Sequence, residues 1–193
     1  MFGKKSILLL ITSLSLISYC GSFRENNIPT VKESEYKSDK TEKIKVFSRW
    51  THTLSTAPDA IRTHSDVHKR WFEKAILDSG CCIIVDKPTE ATLVIDGAAF
   101  DRSHPLRIVP LFINIFTAMA IPYWATTTVD IQVAVNKGNK KYEYQLKDSF
   151  TMVQWLPMVF VFPFTGGPIK HRDELYINTY QALVVKIKKD GLL

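Results

Sequence analysis

The chain has 193 residues, 46% of them apolar, a formal charge of +6 and three cysteines. That length supports one domain with a sizeable core, and the cysteine count is too low for a disulfide-stapled scaffold. The basic residues are scattered among acids instead of forming an aromatic-interleaved stripe, so nucleic acid is not an expected partner.

Lys4 and Lys5 precede an uncharged apolar run from Ile7 to Ser18, and Cys20 follows almost at once. A basic start and an apolar stretch of about 12 residues have the form of an export signal, too short for an ordinary spanning helix. The residues Leu16, Ile17 and Ser18 ahead of Cys20 resemble the box before the lipidated cysteine of bacterial lipoprotein precursors, although Tyr19 stands where a small residue is usual. The resemblance covers residues 1–22. It implies a signal peptide over 1–19, acyl chains of the palmitate kind on Cys20, and membrane lipid as the partner they engage. It also implies a cell-envelope location, on the periplasmic side or at the outer membrane.

Residues 20–43 are polar, mixed in charge and almost free of periodic apolar positions, which predicts a lipid-attached flexible tether. A single globular domain is expected over 44–193. Ile44–Trp50, dense in β-branched and aromatic residues, reads as its first strand. A helix is expected next, with Thr56 as N-cap, Pro58 in the first turn and Gly80 at its end. Ile61, Val67, Trp71, Phe72, Ala75 and Ile76 share one side of it.

His64 and His68, four apart on that helix, put two imidazoles on the same face, as metal sites do. They are the metal-ligand candidates, with His52, His104 or His171 as a third ligand only if folding brings one close. Asp66 points away, and no glutamate follows His64. Cys81 and Cys82 fall in a strand where neighbours face opposite sides, and a bond between them closes a strained eight-membered ring. Two small buried apolar residues are therefore expected there. Short strands follow at Cys82–Val85 and Ala91–Ala99. Asp96, Asp101 and Arg102 near a strand end could line a pocket, but mixed charges in such a place are expected to be solvated.

Val129, Ile131, Val133 and Val135 alternate with polar or small residues. Beyond a Gly-containing turn, Tyr142, Tyr144, Leu146 and Phe150 do the same. Period-2 patterning on both sides of a turn predicts an antiparallel hairpin. It is flanked by two uncharged stretches, Ile108–Val129 and Ser149–Ile169, which must emerge at the same end of the hairpin. Pro110, Pro122, Pro157 and Pro163 argue against spanning helices. The two stretches are expected to form an apolar lobe with three possible fates: core, shallow membrane contact, or an interface with an envelope protein partner. The contact candidates are Leu111, Phe112, Phe116, Tyr123, Trp124, Trp155, Phe160 and Phe162. A last helix is expected over Arg172–Lys189, ended by Gly191.

No nucleophile elbow, P-loop or dinucleotide fingerprint is present, so no catalytic residue and no cofactor are expected. The fold class expected is α+β, an antiparallel or mixed sheet of about five strands with two main helices on one face. The function expected is a lipid-anchored envelope protein that binds or scaffolds at a membrane. The alternatives are a metal-dependent hydrolase using His64 and His68, or an integral membrane protein with two re-entrant apolar segments.

Overall fold

A computed structural model of the chain describes residues 20–38, 41–54, 65–158, 160 and 170–193. Six strands form one mixed sheet: β1 (Cys20–Arg24), β2 (Ile44–Leu54), β3 (Cys82–Ile84), β4 (Leu93–Ser103), β5 (Tyr123–Lys137) and β6 (Lys140–Gln154). Their spatial order is β1-β6-β5-β4-β2-β3. β2 runs parallel to β3 and β4, and the other pairings are antiparallel. Four helices lie among the described residues: α1 (Glu33–Tyr36), α2 (Ser65–Asp78), α3 (Ile108–Phe116) and α4 (Lys170–Lys189). The α+β class holds, with one more strand and two more helices than expected.

Alternation decides which side chains are covered. In β5, Val129, Ile131, Val133 and Val135 are all buried, and Val46 and Trp50 of β2 and Leu93 and Ile95 of β4 join them on the same face. α2 lies against β2, and α4 packs against α2, β1 and β6. The α2 stripe His68, Phe72, Ala75 and Ile76 meets the α4 stripe Tyr176, Tyr180, Leu183, Val184 and Ile187. At the centre, the Trp50 ring sits 5.2 Å from Phe72 and 5.3 Å from Tyr180. Gly97 pairs with Trp50 across the parallel ladder, and a Cβ there would come within 2.4 Å of the indole. Only a glycine lets that ring lie flat on β4.

The hairpin is as expected, with Gly138 in the left-handed region at its turn (φ 58°). Gly191 (φ 72°) likewise ends α4. The two apolar stretches do leave the hairpin together, since Tyr123 pairs with Gln154. The backbone N–H of Leu156 donates to the Met119 carbonyl at 2.9 Å, and the Trp155 indole donates to that of Ala120 at 3.2 Å. Among the described residues no helix is long and apolar enough to cross a membrane.

Three expectations need correction. Residues 20–43 are not a bare tether: β1 is an edge strand on β6, and Tyr36 of α1 is buried. Arg24 bonds Asp148 at 2.7 Å with both side chains almost fully covered, which offsets the entropy of ordering a polar segment. Cys81 and Cys82 are joined in a disulfide despite being neighbours. The partnership with lipid through acyl chains on Cys20 does not stand either. The cysteine chemistry of the fold is that Cys81–Cys82 bond, and Cys20 is a half-buried strand residue paired with Gln154, its thiol pKa raised by burial.

Candidate metal centre

Three side chains converge where the parallel pair β2/β4 ends. His52 continues the covered face of β2 after Val46, Ser48 and Trp50. Asp101 is in phase with Leu93, Ile95, Gly97 and Ala99 of β4, and it pairs with Leu54 in the register. His68 reaches the same point from the first turns of α2 and is 1% exposed. The carboxyl ends of parallel strands are where open sheets gather ligand-binding side chains.

Nε2 of His52 lies 2.9 Å from Oδ2 of Asp101, and Nε2 of His68 lies 4.0 Å from the same oxygen. One ligand atom from each of the three residues falls within 4.8 Å of the others. Four-coordinate zinc with bonds of about 2.0–2.1 Å sets neighbouring ligands roughly 3.3 Å apart, and the two measured separations bracket that spacing. The donor set, two imidazoles and one carboxylate, suits zinc and leaves a coordination position open.

A second layer holds these groups. Nδ1 of His68 is 2.7 Å from the Tyr180 hydroxyl, which is fully buried. In the tautomer with Nδ1–H donating to Tyr180, the Nε2 lone pair faces Asp101, the arrangement metal-binding histidines adopt. The Tyr176 hydroxyl donates to Oδ2 of Asp101 at 3.0 Å. Oδ1 of Asp101 is buried and has no hydrogen-bond partner among the described residues. Burial first, and then the Asp101 charge, push the Tyr176 pKa far above its ordinary value. Tyr180 is raised by burial, by Tyr176 and by Asp101. Both phenols therefore stay protonated across the physiological range, Tyr176 as the donor to Asp101 and Tyr180 as the acceptor from His68. The cluster forms the floor of an open cleft of about 610 Å³.

Of the sequence candidates, His68 is in this cluster, while His64 lies outside the described residues. His52 is the third candidate ligand, brought close by folding. His104 accepts from the Leu106 N–H at 3.2 Å, and His171 pairs with Glu174 at 3.0 Å, so neither joins. Asp101, expected to be solvated, is the residue around which the centre is organised; its in-phase position after Leu93, Ile95, Gly97 and Ala99 was the available signal.

The apolar end of the sheet is separate. Phe112, Phe116, Trp124, Trp155 and Phe160 are exposed there, Leu111 is half-buried, and Phe162 lies outside the described residues. Tyr123, the remaining candidate, is 3% exposed and so buried.

No family model matches this chain, and no curated protein does. Among solved structures, the chain is similar to a PelC variant dodecamer from Paraburkholderia phytofirmans, at 12% identity over 85% of this chain and 97% of that one, with a TM-score of 0.36. It is similar to the PelC dodecamer of the same organism at 12% identity over 87% and 94%, with a TM-score of 0.26. Neither likeness is close enough to carry an activity or an assembly to this chain.

Proposed function

We propose that the chain binds one zinc-class divalent ion through His52, His68 and Asp101 and uses it for metal-assisted hydrolysis. The observation that carries this reading is the three-residue cluster itself, whose spacing fits the ion and whose second layer orients the ligands. An ion bound there would acidify a coordinated water and polarise a substrate oxygen. In the hydrolysis, water adds to the electrophilic centre, the bond to the leaving group breaks, and the leaving atom takes the proton. Tyr176 and Tyr180 hold the ligand orientations while this happens. Histidine binds such an ion only through a deprotonated ring nitrogen, so binding weakens as pH falls.

Metal analysis of the full chain after dialysis against zinc tests the reading. One zinc per chain is expected in the native protein, with loss of stoichiometric binding in Asp101→Ala and in His68→Ala. Native protein that retains no zinc removes the proposal.

A second reading concerns placement, and one observation favours it. Large apolar side chains cluster on and around α3, Phe116 being 85% exposed and Trp124 65%. Cys20 pairs with Gln154, which pairs with Tyr123, so the start of β1 lies at this same end. Apolar residues with tryptophans beside them suit the headgroup layer of a membrane. Co-sedimentation of the full chain with phospholipid vesicles is expected, and is expected to fall in Phe112→Ser/Phe116→Ser. Equal sedimentation of the two proteins refutes this placement.

A further inference from the structure

The cleft above the three ligands has a division of character that points to what enters it. One wall is apolar, made by Leu54 at the end of β2 and by Val67 and Trp71 of α2. The rim carries three cations, Arg70 and Lys74 from α2 and Arg172 from the first turn of α4. A single acid stands with them, Asp173, and it already pairs with Arg172 at 3.3 Å. Arg70 and Lys74 are one helical turn apart on the same side of α2, so both reach the same volume. Arg70 spends one donor on the Asp66 carbonyl at 3.2 Å, which holds its stem on the helix and leaves the rest of the guanidinium fork for a ligand.

We propose that this cleft binds a phosphate monoester with an apolar or aromatic body, its phosphoryl group between the rim cations and the His52–His68–Asp101 centre and its body against Trp71. The assignment rests on the metal reading above, because the centre supplies the floor on which the phosphoryl oxygens sit. Guanidinium and ammonium groups lining one cleft suit the three-oxygen face of a phosphoryl group, with Arg offering a planar fork and Lys a point charge. Asp101 alone on the floor would repel that group; with an ion beside it the floor becomes attractive. A volume of about 610 Å³ accommodates a ligand larger than inorganic phosphate, since small-molecule sites span roughly 300–1,000 Å³. The indole provides the stacking and apolar surface for the body.

Calorimetric titration of the zinc-loaded full chain with phenyl phosphate tests the assignment, each sample being titrated with zinc first. Saturable binding is expected, weakened about 10- to 100-fold in Arg70→Gln/Lys74→Gln, where two charge-assisted contacts are lost. The control is Lys69→Gln, on the same helix but outside the cleft, which should stay within about twofold of the native chain. Trp71→Ala should remove the preference for phenyl phosphate over inorganic phosphate. Zinc binding with no saturable phenyl phosphate binding overturns this inference and leaves the metal reading intact. Equal affinity in native and Arg70→Gln/Lys74→Gln proteins overturns it as well. Failure of the native chain to take up zinc removes both.

Discussion

Tyr180→Phe separates a metal centre from a buried hydrogen-bond cluster. The substitution removes one oxygen and keeps the ring, so the contacts of Tyr180 with Trp50 and Phe72 survive and no cavity opens. What is lost is the 2.7 Å bond to Nδ1 of His68, a residue only 1% exposed. A buried polar atom left without that partner costs about 1–3 kcal/mol. For a chain of 193 residues each kcal/mol moves the melting temperature by about 2–4 °C, so the metal-free protein should melt about 2–12 °C lower. A second-layer partner of a metal ligand is also worth about 10–100-fold in metal affinity. Thermal melts in chelator and a competitive zinc-chelator titration read the two effects independently. A lowered melting temperature with zinc affinity within about threefold of native refutes the second-layer role and makes His68–Tyr180 a structural bond only. An unchanged melting temperature refutes the hydrogen bond itself.

Other outcomes follow from the same geometry. Arg24→Ala should cost about 3 kcal/mol, because it strands the Asp148 carboxylate with only the Asn27 and Ser149 N–H groups, and Arg24→Met/Asp148→Asn should recover much of the loss in urea unfolding. Gly97→Ala drives a methyl into the Trp50 ring and should lower stability by about 1–3 kcal/mol, with a blue- or red-shifted tryptophan emission reporting the displaced indole. The tyrosine shifts give stability a fixed sign against pH. Tyr176 and Tyr180 have raised pKa values when folded, so below the ordinary tyrosine value of 10.0 they leave stability unchanged. Above it the unfolded chain ionises first, and stability falls as pH rises toward the folded values. The urea midpoint should therefore drop above about pH 10, less steeply in Tyr180→Phe, and an equal slope in the two proteins contradicts the assignment.

What the sequence made legible was whatever depends on short-range periodicity. Val129 to Val135 and the Gly138 turn announce the hairpin, and Tyr176 to Ile187 announce the inner face of α4, because both patterns are set by the local geometry of strand and helix. The edge strand Cys20–Arg24 was illegible for a physical reason: what orders it is Arg24 meeting Asp148, 124 residues away. His68 stands out by its four-residue spacing from His64, yet the candidate ligands that meet it come from different strands. His52 and Asp101 are 49 positions apart and become neighbours only through the parallel pairing of β2 with β4. The Cys81–Cys82 bond was missed because opposite pointing holds inside a regular strand, and Cys81 lies just before β3 begins.

The placement of Asp101 also explains why the centre sits where it does. Deeper along β2 and β4, the covered face is closed by the rings of Trp50, Phe72 and Tyr180, and an ionised carboxylate there would be surrounded mainly by apolar surface. One step toward the strand ends, the aromatic layer gives way to His52, His68 and the hydroxyl of Tyr176, so Oδ2 is satisfied by two donors while Oδ1 is not. A buried carboxylate with one oxygen idle and two imidazoles at hand is stabilised by a cation more than by any neutral group that could fill the space. The ion therefore should raise the melting temperature of the native chain in proportion to the logarithm of its concentration. Asp101→Asn, which keeps the shape and removes the charge, should abolish that rise while leaving the fold intact by circular dichroism. A rise of the same size in Asp101→Asn would mean that the cation binds elsewhere.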